Sequence, residues 1–231
     1  MARIFDSAGV HVISHMLDTQ EKLNLIQSPY WRLDIKSDDF KLAILAETGE
    51  LVNHLKYKWW KKEDSLDLDQ VYLECVDIAH FLLSLILIGG QSPDKVLETF
   101  PIHTLWYSEN EVKNFNKSEV YKNILIFNDH LYKAIQYDHI SVLTEKFKNL
   151  LISLGLSFDN FYRMYIGKSA LNLFRWENGY KEGTYIKVWD NKEDNEHLAE
   201  ILKNMPIDKY DPVAYITEEL LKIYPNKSES S

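Results

Sequence analysis

The chain has 231 residues, 45% of them hydrophobic, which is long and apolar enough for one sizeable packed domain. Against 35 Asp plus Glu stand 26 Lys plus Arg, a formal charge of −9 that excludes a general attraction to nucleic acid or to an anionic membrane, so any phosphate-binding site has to be local. One cysteine, Cys75, excludes an intrachain disulfide and fits a reducing compartment, which makes the cytoplasm the expected location.

The N-terminal MARIFDSAGVHV lacks the basic-then-apolar layout of a secretory leader. Helical periodicity dominates and alternating strand patterns are scarce, which predicts an all-α fold. The first helix is expected over Val12–Gln27, ended by Ser28-Pro29, and the second from Asp38, as N-cap, through Trp59. Glu63–Asp69 reads as a charged connector, followed by a third helix over Leu68–Ile88 that stops at Gly89-Gly90. So short a connector makes the second and third helices antiparallel neighbours. The most apolar stretch, Ile78–Ile88, includes His80 and Ser84 and covers about half of the roughly 20 residues a bilayer span needs, so it reads as a buried helix. Further helices are expected at Pro93–Phe100, Ser118–Tyr137, Ile140–Leu154 and Phe158–Trp176, punctuated by Pro101 and Gly155. The segment ENGYKEGTYIKVWD, Glu177–Asp190, reads as a small hairpin or a long ordered loop because it combines glycines with aromatic and β-branched residues. Helices over Asn195–Asn204 and Asp211–Tyr224 complete one domain, residues 1–224, before the polar tail PNKSESS, 225–231.

Two acidic pairs stand out inside apolar helices. In AETGELVN, Glu47 and Glu50 lie three apart; in YLECVDIAHFLLSLIL, so do Glu74 and Asp77, with His80 three further on. On a helix i and i+3 side chains share a face, so antiparallel neighbours can aim both pairs into one volume. Two like charges about 5 Å apart at an effective dielectric of about 20 repel by roughly 3 kcal/mol, and four carboxylates contain several such pairs. Protons or cations must neutralise the cluster, and an all-oxygen donor set suits Mg²⁺ or Mn²⁺. The ordinary alternatives are a solvated acidic face for each pair, a hydrogen-bonded core role for His80 and a small buried apolar role for Cys75. Gly49, between the two glutamates, costs about 1 kcal/mol of helix propensity, which points to close approach of a backbone or ligand, or to chance.

A metal held by carboxylates leaves positions for phosphate oxygens, and local cations appear in GKSALNLFRWENGYKEGTYIKVW. Lys168, Asn172 and Arg175 form one helical stripe, followed by Tyr180, Lys181, Tyr185 and Lys187. An ordinary basic helix face is the plainer reading of that spacing. Gln20 and Asn24, four apart, carry the amide donors and acceptors that read a base edge, although exposed helix polars share the pattern. Trp59-Trp60 is core, interface or a stacking platform.

The blocks QxxLN (Gln20–Asn24), ExxE (Glu47–Glu50), KWWK (Lys58–Lys61), ExxDIxHFxLS (Glu74–Ser84) and GKxxLNxFRxxNGYKxGxYxKxW (Gly167–Trp189) together resemble the dimeric dUTPases, of the all-α nucleoside triphosphate pyrophosphohydrolase superfamily. The resemblance runs over about residues 12–189. The last block is the specific one, whereas the acidic pairs are shared across the superfamily. It implies that Glu47, Glu50, Glu74 and Asp77 hold Mg²⁺, with Glu47 or Glu50 also orienting or deprotonating water, and that dUTP is cleaved to dUMP and pyrophosphate, with dUDP a possible second substrate. It further implies Gln20, Asn24, Trp60 and Asn172 around uracil and deoxyribose, Lys168, Arg175, Tyr180, Lys181 and Lys187 toward the phosphates, and a homodimer. Residues 93–157 carry none of these motifs, and Ser169 stands where the GKN form of the motif has asparagine. Competing readings are a related enzyme acting on dCTP or noncanonical nucleotides, a di-iron carboxylate bundle suggested by Asp77-x-x-His80, and a noncatalytic helical interaction protein. A second carboxylate-x-x-His beside Glu47 and Glu50, which the iron reading needs, is missing.

Overall fold

The computed structural model describes residues 2–62, 65–89, 115–137, 140–206 and 211–225. Their helices are α1 (Ala2–Gln27), α2 (Trp31–Asp34), α3 (Ser37–His54), α4 (Leu68–Ile88), α5 (Lys117–Tyr137), α6 (Ile140–Ser153), α7 (Phe158–Glu177), α8 (Asp194–Asn204) and α9 (Pro212–Ile223), with a two-stranded ribbon, β1 (Val188–Trp189) and β2 (Lys192–Glu193), ahead of α8. The fold is all-α. The expected helix at Pro93–Phe100 and nearly all of the C-terminal tail lie outside the described residues.

Helix α4 is the axis. Cys75, Ile78, Ala79, Leu82 and Leu83 are all fully buried, and α4 packs most extensively against α3. His54 lies beside Glu74 while Phe40 lies beside Phe81, so α3 and α4 run antiparallel as expected. Helix α1 reaches the same core helix through Asn24 and Ser84, and α7 reaches it through Lys168 and Asp77. Helices α5 and α6 meet through Phe127 and Phe147, whose rings are tilted against each other, and Phe147 meets Phe161 of α7. By length and composition α4 is apolar enough to cross a membrane, with mean hydropathy 2.0 over its best 18-residue window, a longer apolar reach than Ile78–Ile88 alone suggests; 72% of that window is buried inside the bundle.

The start of α1 and both ends of α3 differ from the sequence reading. Helix α1 begins at Ala2, ten residues before the expected start. Helix α3 begins at Ser37 rather than after Asp38, because the Asp39 carboxylate accepts the Lys36 backbone N–H at 2.8 Å and thereby stabilises the first turn. It ends at His54, five residues short of Trp59, because Leu55 is fully buried and Lys56 takes a left-handed φ of 52°. Lys117 of α5 then donates to the Lys56 carbonyl at 2.8 Å, which fixes that turn. Asp67 and Asp211 cap α4 and α9 through side-chain hydrogen bonds. After α7, turns at Gly179 (φ 93°) and Gly183 (φ 69°) lead into the ribbon, whose Asp190-Asn191 turn has positive φ at both residues, as a two-residue hairpin requires.

Candidate active site

The antiparallel α3/α4 pairing brings Glu47, Glu50 and Glu74 together, with one carboxylate oxygen from each lying within 4.8 Å of the others. Glu74 is buried, Glu47 half-buried and Glu50 exposed, so the cluster opens outward from the core. Burial is the main cause that lifts Glu74 to about 8, with Asp77 adding to it and Lys168 opposing. Burial likewise lifts Glu47 to about 7, supported by the charges of Asp77 and Glu50 and opposed by Lys168 and by its hydrogen bond with Glu74. The two therefore share a proton near neutrality in the absence of a cation. Donors on one Mg²⁺ ion at its usual bond length lie about 3 Å apart when adjacent and about 4.2 Å apart when opposite, so three oxygens all within 4.8 Å of one another are on the scale of one ion's shell. The donor set is all oxygen, hard and acidic, which suits a divalent cation.

Asp77 stands apart from that trio: its Oδ2 is 2.7 Å from Lys168 Nζ, and both side chains are largely buried. Lys168 also donates to Asn195 Oδ1 at 2.9 Å. Arg175 forks onto Asp194, with both hydrogen bonds at 2.8 Å, and donates to Asn172 Oδ1 at 3.1 Å. Burial works against the Arg175 charge, but the Asp194 carboxylate outweighs it and holds the guanidinium above its ordinary value. Arg175 in turn outweighs burial at Asp194 and keeps it below the usual carboxylate range. Tyr185 donates to the same carboxylate at 2.9 Å. Tyr180 and Lys181 are exposed, and Lys187 is exposed and ion-paired with Glu193 at 3.1 Å.

On the far side of Asp77 a buried polar network links α1, α4 and α7. Gln20 Nε2 donates to Asn24 Oδ1 at 3.0 Å, and Asn24 Nδ2 donates to Ser84 Oγ at 3.0 Å. His80 Nδ1 lies 2.6 Å from Gln20 Oε1, an acceptor, so that nitrogen carries the proton and Nε2 is the acceptor of a neutral ring. His80 Nε2 is buried without a hydrogen-bond partner among the described residues. Burial holds the imidazole down at about 4. Its ring stacks on Tyr165, whose hydroxyl donates to the Met16 carbonyl at 2.9 Å. Trp60, by contrast, stands on the surface after α3, edge-on to Tyr57 and Trp59.

Sequence reasoning did not single out His54, whose Nε2 lies 3.4 Å from Glu74 Oε1. The signal was present, since His54 continues the Glu47–Glu50 stripe by one helical turn. Nor did it find Asp194 and Asn195, whose roles come from α8 folding back on α7. Gly49 has open space where a Cβ would sit, with nothing within 4 Å among the described residues, which give no packing reason for it.

Opposed acidic pairs on neighbouring helices can hold divalent ions against a polyphosphate, and the all-α bundle that carries them agrees with the class of all-α nucleoside triphosphate pyrophosphohydrolases. Within that class the family is fixed by sequence: the family model described as dUTPase matches residues 12–180, and the chain belongs to the dUTPase family in its all-α form. It is a dUTP diphosphatase, of a family that works with a divalent metal and binds a nucleotide substrate. No curated protein matches the chain.

Proposed function

We propose that the chain cleaves dUTP to dUMP and pyrophosphate in a Mg²⁺-dependent reaction at the Glu47–Glu50–Glu74–Asp77 seam, which limits uracil incorporation into DNA and supplies dUMP for dTMP synthesis. The observation that carries this reading is the convergence of three glutamate oxygens from α3 and α4 next to Asp77 and Lys168, in a chain of the dUTPase family. When bound, Mg²⁺ would supply positive charge to the phosphates and make a bound water more acidic; Mn²⁺, which also favours oxygen ligands, is the expected substitute. Glu47 or Glu50, at the open side of the cluster, would orient the attacking water and accept its proton. Lys168, Arg175, Tyr180, Lys181 and Lys187 face the phosphates, the last three from the turns and loop that follow α7.

The base pocket follows from hydrogen-bond accounting. Uracil offers one ring N–H between two carbonyls. His80 Nε2, an acceptor with no partner among the described residues, can take that N–H, and the second N–H of Gln20 or Asn24 can donate to a carbonyl. Cytosine, with an acceptor at the ring nitrogen, would meet another acceptor there. Asn172 and Trp60 are assigned to the nucleoside side, and dUDP, which carries the same nucleoside, is the second substrate this reading allows. Exposed Leu42 and Leu45 on α3, with Tyr30, Leu33 and Trp59 nearby in sequence, support a homodimer.

The test is product identification with dUTP, dCTP, dTTP and UTP, with Mg²⁺ or EDTA, on the wild type and Glu47→Gln. Conversion of dUTP to dUMP that is abolished by EDTA and falls at least a hundredfold in the variant is expected. Equal turnover of dCTP would overturn the base assignment, and metal-independent turnover the seam.

A further inference from the structure

The pairing of Asp77 with Lys168 has no place in a site where all four carboxylates hold metal and all cations hold phosphate. A buried ammonium 2.7 Å from Asp77 Oδ2 already neutralises that carboxylate, and a divalent ion taken by Asp77 would have to sit close to it. Like charges so close in a partly buried site exclude each other. The other three carboxylates already converge without Asp77. We propose that Lys168 is a placeholder cation: it neutralises Asp77 until a divalent ion takes that carboxylate, and it is released toward the substrate phosphates by the same event. This rests on the metal-dependent reading above and deepens it, because it makes completion of the metal site and arming of the phosphate site one switch.

Three features of the chain suit Lys168 to this role. Its Nζ has three donors; Asp77 and Asn195 take two, which leaves one for a phosphate oxygen. Asn195 belongs to the first turn of α8 and tethers Lys168 when Asp77 lets go, so the ammonium swings about a fixed point and is not lost to solvent. A lysine is also the right residue, a compact charge on a flexible stem, where an arginine fork would lock onto the carboxylate as Arg175 does on Asp194.

Mn²⁺ binding without nucleotide, at alkaline pH where protons no longer compete for the glutamates, tests this in the wild type and Lys168→Met. The variant is expected to bind Mn²⁺ at least fivefold more tightly while its KM for dUTP rises at least tenfold. Unchanged or weaker Mn²⁺ binding in a folded variant overturns the placeholder. Should Lys168→Met not fold, lysine-selective NMR of the wild type decides: Mg²⁺ should shift the Lys168 ammonium signal before any nucleotide is added, and a signal unmoved at saturating Mg²⁺ rejects the proposal. A wild type that binds no divalent ion and turns over no dUTP would remove the underlying reading as well, whereas metal-dependent dUTP turnover with an unmoved Lys168 would remove the placeholder alone.

Discussion

Glu74 is held in a position that costs the fold. Burial and neighbouring negative charge raise it and Glu47 well above an unfolded glutamate, so the unfolded chain binds fewer protons than the native one over the interval between. Stability from this pair is therefore fully present below the unfolded value of about 4.5 and is lost as pH rises through about 7 and 8. Metal-free protein should melt progressively lower from pH 5 to pH 9. Mg²⁺ should restore the melting temperature, by an amount that grows over the same interval, and a flat profile by calorimetry would contradict the cluster. For the same reason Glu74→Gln should raise the melting temperature of the metal-free protein while abolishing turnover. Gly49→Ala, with open space at the Cβ, should add up to about 1 kcal/mol of helix stability, or roughly 2–4 °C for a domain of this size. A loss of activity or of self-association in that variant would identify a partner surface or ligand approaching α3 there.

Helix α9 carries a strut for the phosphate side. Tyr224, just past its last turn, accepts the Ile186 backbone N–H at 2.9 Å, stacks on Tyr185 and meets Phe174 and Trp189 edge-on. Tyr185 in turn reaches Asp194, the anchor of Arg175. Tyr224→Phe keeps the ring and strips one hydrogen bond, at a cost of about 1 kcal/mol, whereas Tyr224→Ala should cost about 3–5 kcal/mol. The alanine variant should raise KM for dUTP more than it lowers kcat, because the loop with Lys181 and Lys187 is displaced while the carboxylates are untouched; steady-state kinetics separates the two. Close approach of α7 and α8 is set by Gly167, where a Cβ would lie 2.9 Å from Leu202 Cδ2. Gly167→Ala gains about 1 kcal/mol of helix propensity but has to push the Leu202 side chain aside, so chemical denaturation should show a net cost of no more than about 2 kcal/mol.

At the scale of the molecule, what could be read in advance was what repeats along a helix. The limits of α4 came out as expected because a long apolar run with an N-cap and a glycine stop is a local signal, and the carboxylate pairs were visible because i,i+3 spacing fixes a shared face. The end of α3 was not legible, since it depends on Lys56 adopting a left-handed turn held by Lys117, sixty-one positions away. The partners of Lys168 and Arg175 were hidden for the same reason: both residues lie on α7, but Asp77, Asp194 and Asn195 reach them only once α4 and α8 have packed on α7. The amides of Gln20 and Asn24 looked like exposed polars and are buried, a difference that burial against α4 and α7 creates and periodicity alone does not encode.

The composition of α4 carries one more consequence. With mean hydropathy 2.0, the segment Leu68–Ile88 resembles a span to any machinery that sorts nascent helices by apolarity before tertiary structure exists. Each acidic residue near the middle of such a segment opposes insertion by roughly 2.5–3.5 kcal/mol. Glu74 and Asp77 thus act on the chain before it folds: the carboxylates assigned to the metal also mark the helix as one for water, and exchanging both for leucine would lose the chemistry and misdirect the polypeptide together.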